Sequence, residues 1–514
     1  MSGKWAYLLS VGAVLLVSCT ARKPETVWPD PDWAVSTPEA QGLDSTVLAD
    51  AVRQIRSEGL NVHSVLLIRN GRAVLDVSFY PYDGAVPHDM ASVTKSVTAT
   101  LIGIAVGRGD IPDTDTPAVS FFPDRQEMEH GTGKGKMTVG DLVTMSSGLH
   151  CLPPPREETL RAMQPSDDWI GYVLGLPMAV EPGTVFEYCS PNFHLLSAIL
   201  TRATGLPAAR FARAELFEPI GIKDFGWPAD PDGVNHGWGD LRLYPGDAAR
   251  IGYLYLNDGL WRTRRILPEG WVKEATRPRM ATSNPDVDYG YGWWLAKGDY
   301  AGVFEARGRG GQAITVWPAR GIVLVTTGGG YDRDRLTSLL IPALRSDRSL
   351  PENPSAYGEL RKAVTAAVEP PPRSPVSPLS EAQLEVSGGW YRMEPNDLSL
   401  TGFGLDFQPG ADEATLTITL GEEAYTMPVG LDGVYRFTGR APSGSPTGCR
   451  GRWEGHGVFV LDYNEVSRVN RFRFDISFAG SSVKMTYQDA TGMFSGLIEG
   501  RLQGNMAGGS FPAL

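Results

Sequence analysis

Hydrophobic and polar positions change period several times along the chain, and each change marks an element. Between Ser45 and Ser57 the apolar residues Val47, Leu48, Val52 and Ile55 fall on one helical face. Two apolar runs, Val62 to Ile68 and Ala73 to Phe79, flank Asn70-Gly71. That pair suits a tight hairpin turn, because both residues tolerate positive φ. Ser92 to Val106 is apolar and β-branched, so propensity alone would allow a strand. Its length and the stop at Gly107-Arg108-Gly109 predict a buried helix instead. Helical stretches continue to about residue 260, and Gly290 to Ala296, Ala313 to Trp317 and Ile322 to Thr327 read as strands. Strands at both ends of a helical middle predict an α+β fold: an antiparallel sheet flanked by helices, plus a helical subdomain.

The pattern changes after the Pro-rich stretch from Glu369 to Pro378. Ala414 to Leu420, Arg471 to Phe478 and Val483 to Tyr487 alternate as strands do, with turn residues between them. A small all-β C-terminal domain, barrel or sandwich, is expected there. At the other end Lys4 precedes an apolar run from Trp5 to Ser18, shorter than the roughly 20 residues of a membrane span. The expected organisation is a signal segment 1–18, a tether 19–35, the α+β domain 36–365, a linker 366–379 and the all-β domain 380–514. Leu16-Val17-Ser18-Cys19 resembles a bacterial lipobox. That resemblance implies lipidation at Cys19, membrane attachment through the lipid, and a place in the cell envelope outside the cytoplasm. In a Gram-negative cell this means the outer membrane, facing the periplasm.

Composition narrows the classes. Of 514 residues, 42% are hydrophobic and 21% charged, which suits packed domains and excludes wholesale disorder. The 47 basic residues against 59 acidic ones leave a formal net charge of −12, which argues against a nucleic-acid partner. The four cysteines form no C-x-x-C pair and no H-E-x-x-H occurs, so a structural zinc site is not expected, and no motif of the chain implies an organic cofactor. Outside the cytoplasm Cys151 and Cys189 are a possible disulfide, leaving Cys449 unpaired; buried thiols are the alternative.

The chemistry-bearing motif is Ser92-Val93-Thr94-Lys95. On a helix, residues i and i+3 share a face, so the lysine amine reaches the serine hydroxyl. A serine is a poor nucleophile until a neighbour takes its proton, and burial disfavours the ammonium form that would prevent this. A second S-x-x-K, Ser481 to Lys484, lies in an alternating strand, where i and i+3 point to opposite faces. Gly308 to Ala313 matches G-x-G-x-x-A, but a strand follows where a dinucleotide site needs a helix. No G-x-S-x-G is present.

The run from His88 to Thr100 and the run from Met137 to Leu149 closely resemble the serine β-lactamase/penicillin-binding-protein superfamily. The branch is the class C-like one, with its esterases, D-aminopeptidases and 6-aminohexanoate-dimer hydrolases. Glu187 to Ser190, Gly239 to Leu243 with Asp247, and Tyr289 to Trp294 follow in the family's order, so the resemblance spans roughly residues 36 to 345. It implies a β-lactamase/transpeptidase-like fold. Its second motif falls on Tyr188-Cys189-Ser190, with Tyr188 as the general base or its partner and Ser190 bonding Lys95 or the substrate. Tyr255-Leu-Asn257, a rival match, stands out of order and reads as structural. Its third motif, K-T-G, is replaced by Arg309-Gly310-Gly311-Gln312. Arg309 would help hold Tyr188 ionised or bind a substrate carboxylate. The two glycines would admit a ligand close to the backbone, and the N–H groups of Gln312 and Ser92 would form the oxyanion hole. Trp293-Trp294 reads as core more than as substrate platform, and His236 as structural.

These residues imply a serine hydrolase that cleaves a small ester, amide or short peptide through an acyl-enzyme on Ser92. A β-lactamase or D-amino-acid peptidase is the first alternative. A non-catalytic envelope scaffold or binding protein with this fold is the second.

Overall fold

The Asn70-Gly71 turn forms as the sequence requires, with φ of 50° and 76° at its two residues. It joins Val62–Arg69 to Arg72–Ser78 near one edge of a nine-stranded sheet. In this computed structural model, residues 26–128, 133–154, 157–439, 441–455 and 457–505 are described. The signal segment and Cys19 lie outside these residues. Across the sheet the order is Ala34–Val35, Arg72–Ser78, Val62–Arg69, Ile322–Gly328, Ala313–Trp317, Phe304–Arg307, Trp294–Ala296, Val287–Tyr289 and Met280–Ala281. Every pairing is antiparallel except that of Ala34–Val35 with Arg72 and Ala73. That first strand corrects the expected tether: from residue 27 the segment is packed, with Trp28 and Trp33 both edge-on to Tyr253 at 5.3 Å.

Helices cover both faces. Ser45–Ser57, capped by the Asp44 carboxylate accepting from the Thr46 N–H at 2.9 Å, packs with Arg333–Leu340 and Pro354–Ala367 on one side. On the other side Val93–Arg108 is the centre of the larger core, packed against Ser190–Thr204. All residues from Val93 to Ala105 are buried, so this helix carries no polar face and depends on tertiary packing rather than amphipathicity. It stops where Gly109 adopts φ 80°, a left-handed C-cap that glycine tolerates without a Cβ clash. The strand expected from Gly290 is only Trp294–Ala296. Gly292, at φ 73°, turns the backbone against Ala99 and Lys95 of the buried helix, and a Cβ there would sit 2.7 Å from the Ala99 Cβ.

Residues 389–505 form a ten-stranded sheet that closes on itself where Gly430 pairs with Arg450. Of the two architectures the alternation allowed, this is the barrel. The 370–379 stretch has no regular structure, and the Ser374 N–H donates to the Asp432 carbonyl at 2.8 Å, fastening it to the barrel. Loops from one end of the barrel reach the hydrolase domain. The Asp89 N–H donates to the Ser467 carbonyl at 2.8 Å, and an Arg161 Nη2 donates to the Met493 carbonyl at 3.0 Å.

Gly103 tests the packing of the central helix. A Cβ there would lie 2.1 Å from Cε2 of Trp271. Helix propensity alone makes Gly→Ala stabilising by about 1 kcal/mol, whereas overpacking costs about 1–3 kcal/mol. Gly103→Ala is therefore expected to lower stability, read as a lower urea midpoint at unchanged slope.

Candidate active site

Ser92 stands at the N-cap of the Val93–Arg108 helix, half-buried, and the preceding turn presents it. Ala91 in that turn has φ 45°, an uncommon value for a residue with a Cβ. It is held there by the Asp89 carboxylate, which accepts its N–H at 2.7 Å, and by the Thr94 hydroxyl, which donates to its carbonyl at 2.6 Å. One helical turn on, the Lys95 ammonium donates to Ser92 Oγ at 2.9 Å and to the Trp238 carbonyl at 2.9 Å. Lys95 is 2% exposed. Burial brings its pKa down to about 8, against the opposing charges of Glu157 and Asp240. Lys95 is thus near the point where amine and ammonium are equally populated at mildly alkaline pH.

Tyr188 lies just ahead of the Ser190–Thr204 helix, its ring centroid 4.9 Å from Lys95 Nζ and stacked on Trp294 at 6.1 Å. Cys189 is bonded to Cys151, and its N–H donates to Met145 Sδ at 3.3 Å, so two segments are fastened behind the phenol. Burial pushes the Tyr188 pKa well above its ordinary value. Glu157 and Tyr289 push the same way, and the Ser92 hydroxyl opposes them. The ionised Tyr188 expected from the sequence is corrected accordingly: among the three groups, Lys95 is the one whose basic form is accessible near neutral pH.

Ser190 is also corrected in part. Among the described residues its buried hydroxyl has no hydrogen-bond partner, and Lys95 bonds the Trp238 carbonyl in its place. Arg309 to Gly311 form a tight turn between Phe304–Arg307 and Ala313–Trp317, with Gly310 at φ 80° and Gly311 at φ 96°. The glycines there do not open the backbone to a ligand. A Cβ on Gly311 would meet the Tyr331 ring at 2.2 Å, and one on Gly310 would meet Val469 of the barrel at 2.5 Å. The Gln312 carboxamide donates to the carbonyls of Arg309 at 2.9 Å and Gly328 at 2.5 Å, and it accepts the Gly328 N–H at 2.9 Å. These bonds fix the Gln312 backbone. Among the described residues neither the Gln312 N–H nor the Ser92 N–H has an acceptor.

Arg309 does not turn to Tyr188. Its guanidinium donates to Thr491 Oγ1 at 3.0 Å and lies 3.5 Å from the fully buried Asp489 carboxylate, both in the barrel. Asp489 in turn accepts the Phe494 N–H at 2.8 Å. Nearby Asp89 is pushed up to about 6 by burial and by Asp240, while the Ala91 N–H, Arg309 and Arg468 pull it down. Asp240 bonds His236 at 2.7 Å, and that imidazole stacks on Trp238 at 4.5 Å, so His236 is a positioning group. Trp293 is fully buried in the core, and Tyr255 is tied to Thr100 at 2.8 Å. Lys484, of the second S-x-x-K, pairs with Glu499 on the barrel surface. Sequence reasoning did not single out Glu157, the Trp238 carbonyl, Asp489 or Thr491. Only the Trp238 carbonyl had a signal, its place beside the matched Gly239 to Leu243 segment.

A serine and a lysine bonded at one helix start, beside a half-buried phenol, agree with a comparison of the whole chain. The Beta-lactamase family model matches residues 48–336. This chain belongs to the beta-lactamase family of serine hydrolases. A 6-aminohexanoate-dimer hydrolase of Paenarthrobacter ureafaciens is 25% identical over 293 residues, 52% of this chain and 73% of that one. An esterase of Burkholderia gladioli is 26% identical over 220 residues, 38% of this chain and 56% of that one. A Bacillus anthracis structure, provisionally named a 6-aminohexanoate-dimer hydrolase, superposes with a TM-score of 0.52. It is 19% identical and covers 63% of this chain and 91% of its own, which bears on the fold alone.

Proposed function

We propose that this family member hydrolyses a neutral ester or amide through an acyl-enzyme on Ser92. The bond between Lys95 Nζ and Ser92 Oγ is the observation that carries the reading. The Lys95 amine takes the Ser92 proton as Oγ attacks the carbonyl carbon. The tetrahedral oxyanion rests on the N–H groups of Ser92 and Gln312. The C–O or C–N bond then breaks, and the leaving group takes a proton from the Lys95 ammonium through the neutral Tyr188 hydroxyl. Water repeats the sequence on the acyl-enzyme and releases the acid and Ser92.

Arg309 supports the choice of a neutral substrate. A peptidase or β-lactamase reading asks for a cation that meets the substrate carboxylate. Here the guanidinium is engaged by Thr491 and Asp489, and the charges of Asp89, Glu157 and Asp240 also act on it. The names of two relatives, a 6-aminohexanoate-dimer hydrolase and an esterase, support an amide or ester as the bond that is cleaved. We also infer that Cys19 carries a lipid that holds the enzyme at the envelope, a reading that rests on the Leu16 to Cys19 motif.

A fluorophosphonate probe reacts with activated serines. It should label the wild-type chain and leave Ser92→Ala unlabelled; a folded wild type that stays unlabelled would favour the scaffold reading. The pH profile identifies the base. With Lys95 lowered to about 8, the amine form grows as pH rises. Acylation under single-turnover conditions should therefore increase through about pH 8 and then level off. A rise that begins only above the ordinary range of a phenol would give the role to Tyr188. Finally, Cys19→Ser should move the protein from the membrane to the soluble fraction; retention at the membrane would remove the lipid anchor.

A further inference from the structure

The barrel interior is packed at mid-height and empty at one end. Inward-facing Leu405, Leu416, Phe459 and Ile476 fill the middle. Toward the loops 394–399, 421–422, 466–470 and 490–494 the inward positions continue as half-buried apolar side chains. Leu398, Ile418, Leu420, Tyr463, Phe472 and Phe474 line an apolar cavity of about 140 Å³ there. A dry, carbon-lined cavity of roughly this size accepts a six-carbon ring. No charged side chain lines it, so it offers nothing to an ionic head and suits hydrocarbon.

The position of this mouth is the second observation. Strands alternate in direction, so the cavity shares its end of the barrel with two loops, 466–470 and 490–494, that dock on the first domain. One aromatic joins the two sites. The Phe494 ring lies between the Arg161 and Arg309 guanidinium groups, at 4.8 and 5.7 Å, and 6.2 Å from Phe472 in the cavity wall. Arg309 is three residues from Gln312, one of the proposed oxyanion donors. An apolar mouth left open beside an acyl-transfer site is otherwise a solubility cost.

We propose that the barrel mouth binds a single hydrocarbon chain and that this chain is the distal tail of the substrate whose carbonyl is attacked by Ser92. The inference rests on the acyl-enzyme reading and adds a substrate class to it: esters or amides with an extended aliphatic tail. The tail passes Phe494 and ends among Ile418, Leu420 and Phe474. No new bond is made; burial of the tail supplies affinity of roughly three- to fourfold per methylene that enters.

The test separates the cavity from the catalysis. A terminally trifluorinated hexanol, followed by ¹⁹F NMR on the full chain as Ser92→Ala, reports the cavity without turnover. Saturable binding is expected, with loss in Ile418→Trp, which fills the mouth. With p-nitrophenyl esters of two to twelve carbons, the wild type should show a ratio of long-chain to short-chain kcat/KM that falls at least about tenfold in Ile418→Trp. Leu420→Trp repeats this measurement should Ile418→Trp not fold. No probe binding to the wild-type barrel overturns the proposal. Probe binding with an unchanged chain-length ratio overturns the link to the substrate and makes a separate lipid the occupant. Probe binding in a chain that no fluorophosphonate labels leaves the cavity standing and removes the acyl-enzyme reading alone.

Discussion

A lysine ammonium buried in an apolar helix is the constraint on which the site depends. Removing such a charge from water is costly unless hydrogen bonds remain, and here two acceptors stay within reach. One is the Ser92 hydroxyl and the other the Trp238 carbonyl, each at 2.9 Å. The residual cost is what lowers the Lys95 pKa to about 8. The same burial that makes Lys95 expensive to charge makes Tyr188 expensive to ionise, so the two groups are driven toward neutrality together. A neutral amine beside a neutral phenol is the state in which one group can accept the serine proton and the other relay it.

Local chemistry was legible in the sequence, and long-range partnership was not. The Asn70-Gly71 hairpin and the helix after Ser92 follow from turn chemistry, run length and a glycine stop, all local signals. The i, i+3 spacing was enough to bring Lys95 to Ser92. Tyr188, 96 positions downstream, was placed only through family resemblance, and its electrostatic state depends on burial that no spacing encodes. Arg309 shows the limit most plainly. Its place after Phe304–Arg307 was readable, but its partners Asp489 and Thr491 lie about 180 residues on, in a hairpin turn whose sequence signals only a turn. The two following glycines were read as room for a ligand. Tyr331 and Val469 occupy that space instead.

Strain around Ser92 connects these observations. Ala91, Met145, Glu157 and Asp240 all hold positive φ, on four separate segments near Ser92. Each such residue costs on the order of 1–3 kcal/mol and persists only where its surroundings over-determine it. Asp240 is held through its bond to His236, which is stacked on the same Trp238 whose carbonyl steadies Lys95. The Met145 carbonyl accepts the Glu187 N–H at 2.8 Å, and its sulfur accepts from Cys189, so this strained residue also positions the segment carrying Tyr188.

The barrel enters the same network at Ser92, the proposed nucleophile. The Ser467 carbonyl accepts the Asp89 N–H, the Asp89 carboxylate accepts the Ala91 N–H, and Ala91 immediately precedes Ser92. Arg468, next to Ser467, also helps keep Asp89 ionised, opposing the burial and the Asp240 charge that raise its pKa. An ionised carboxylate makes the stronger acceptor for the Ala91 N–H, so the charge on a barrel residue reinforces the strained turn. On the opposite wall Asp489 and Thr491 hold Arg309, and Val469 packs against Gly310. The barrel therefore grips both the turn that presents the serine and the turn that leads to the Gln312 N–H. Two separate anchor points fix a distance better than one, and in the proposed mechanism that distance is the span across which the oxyanion is held. In this chain the second domain is part of the scaffold of the candidate active site.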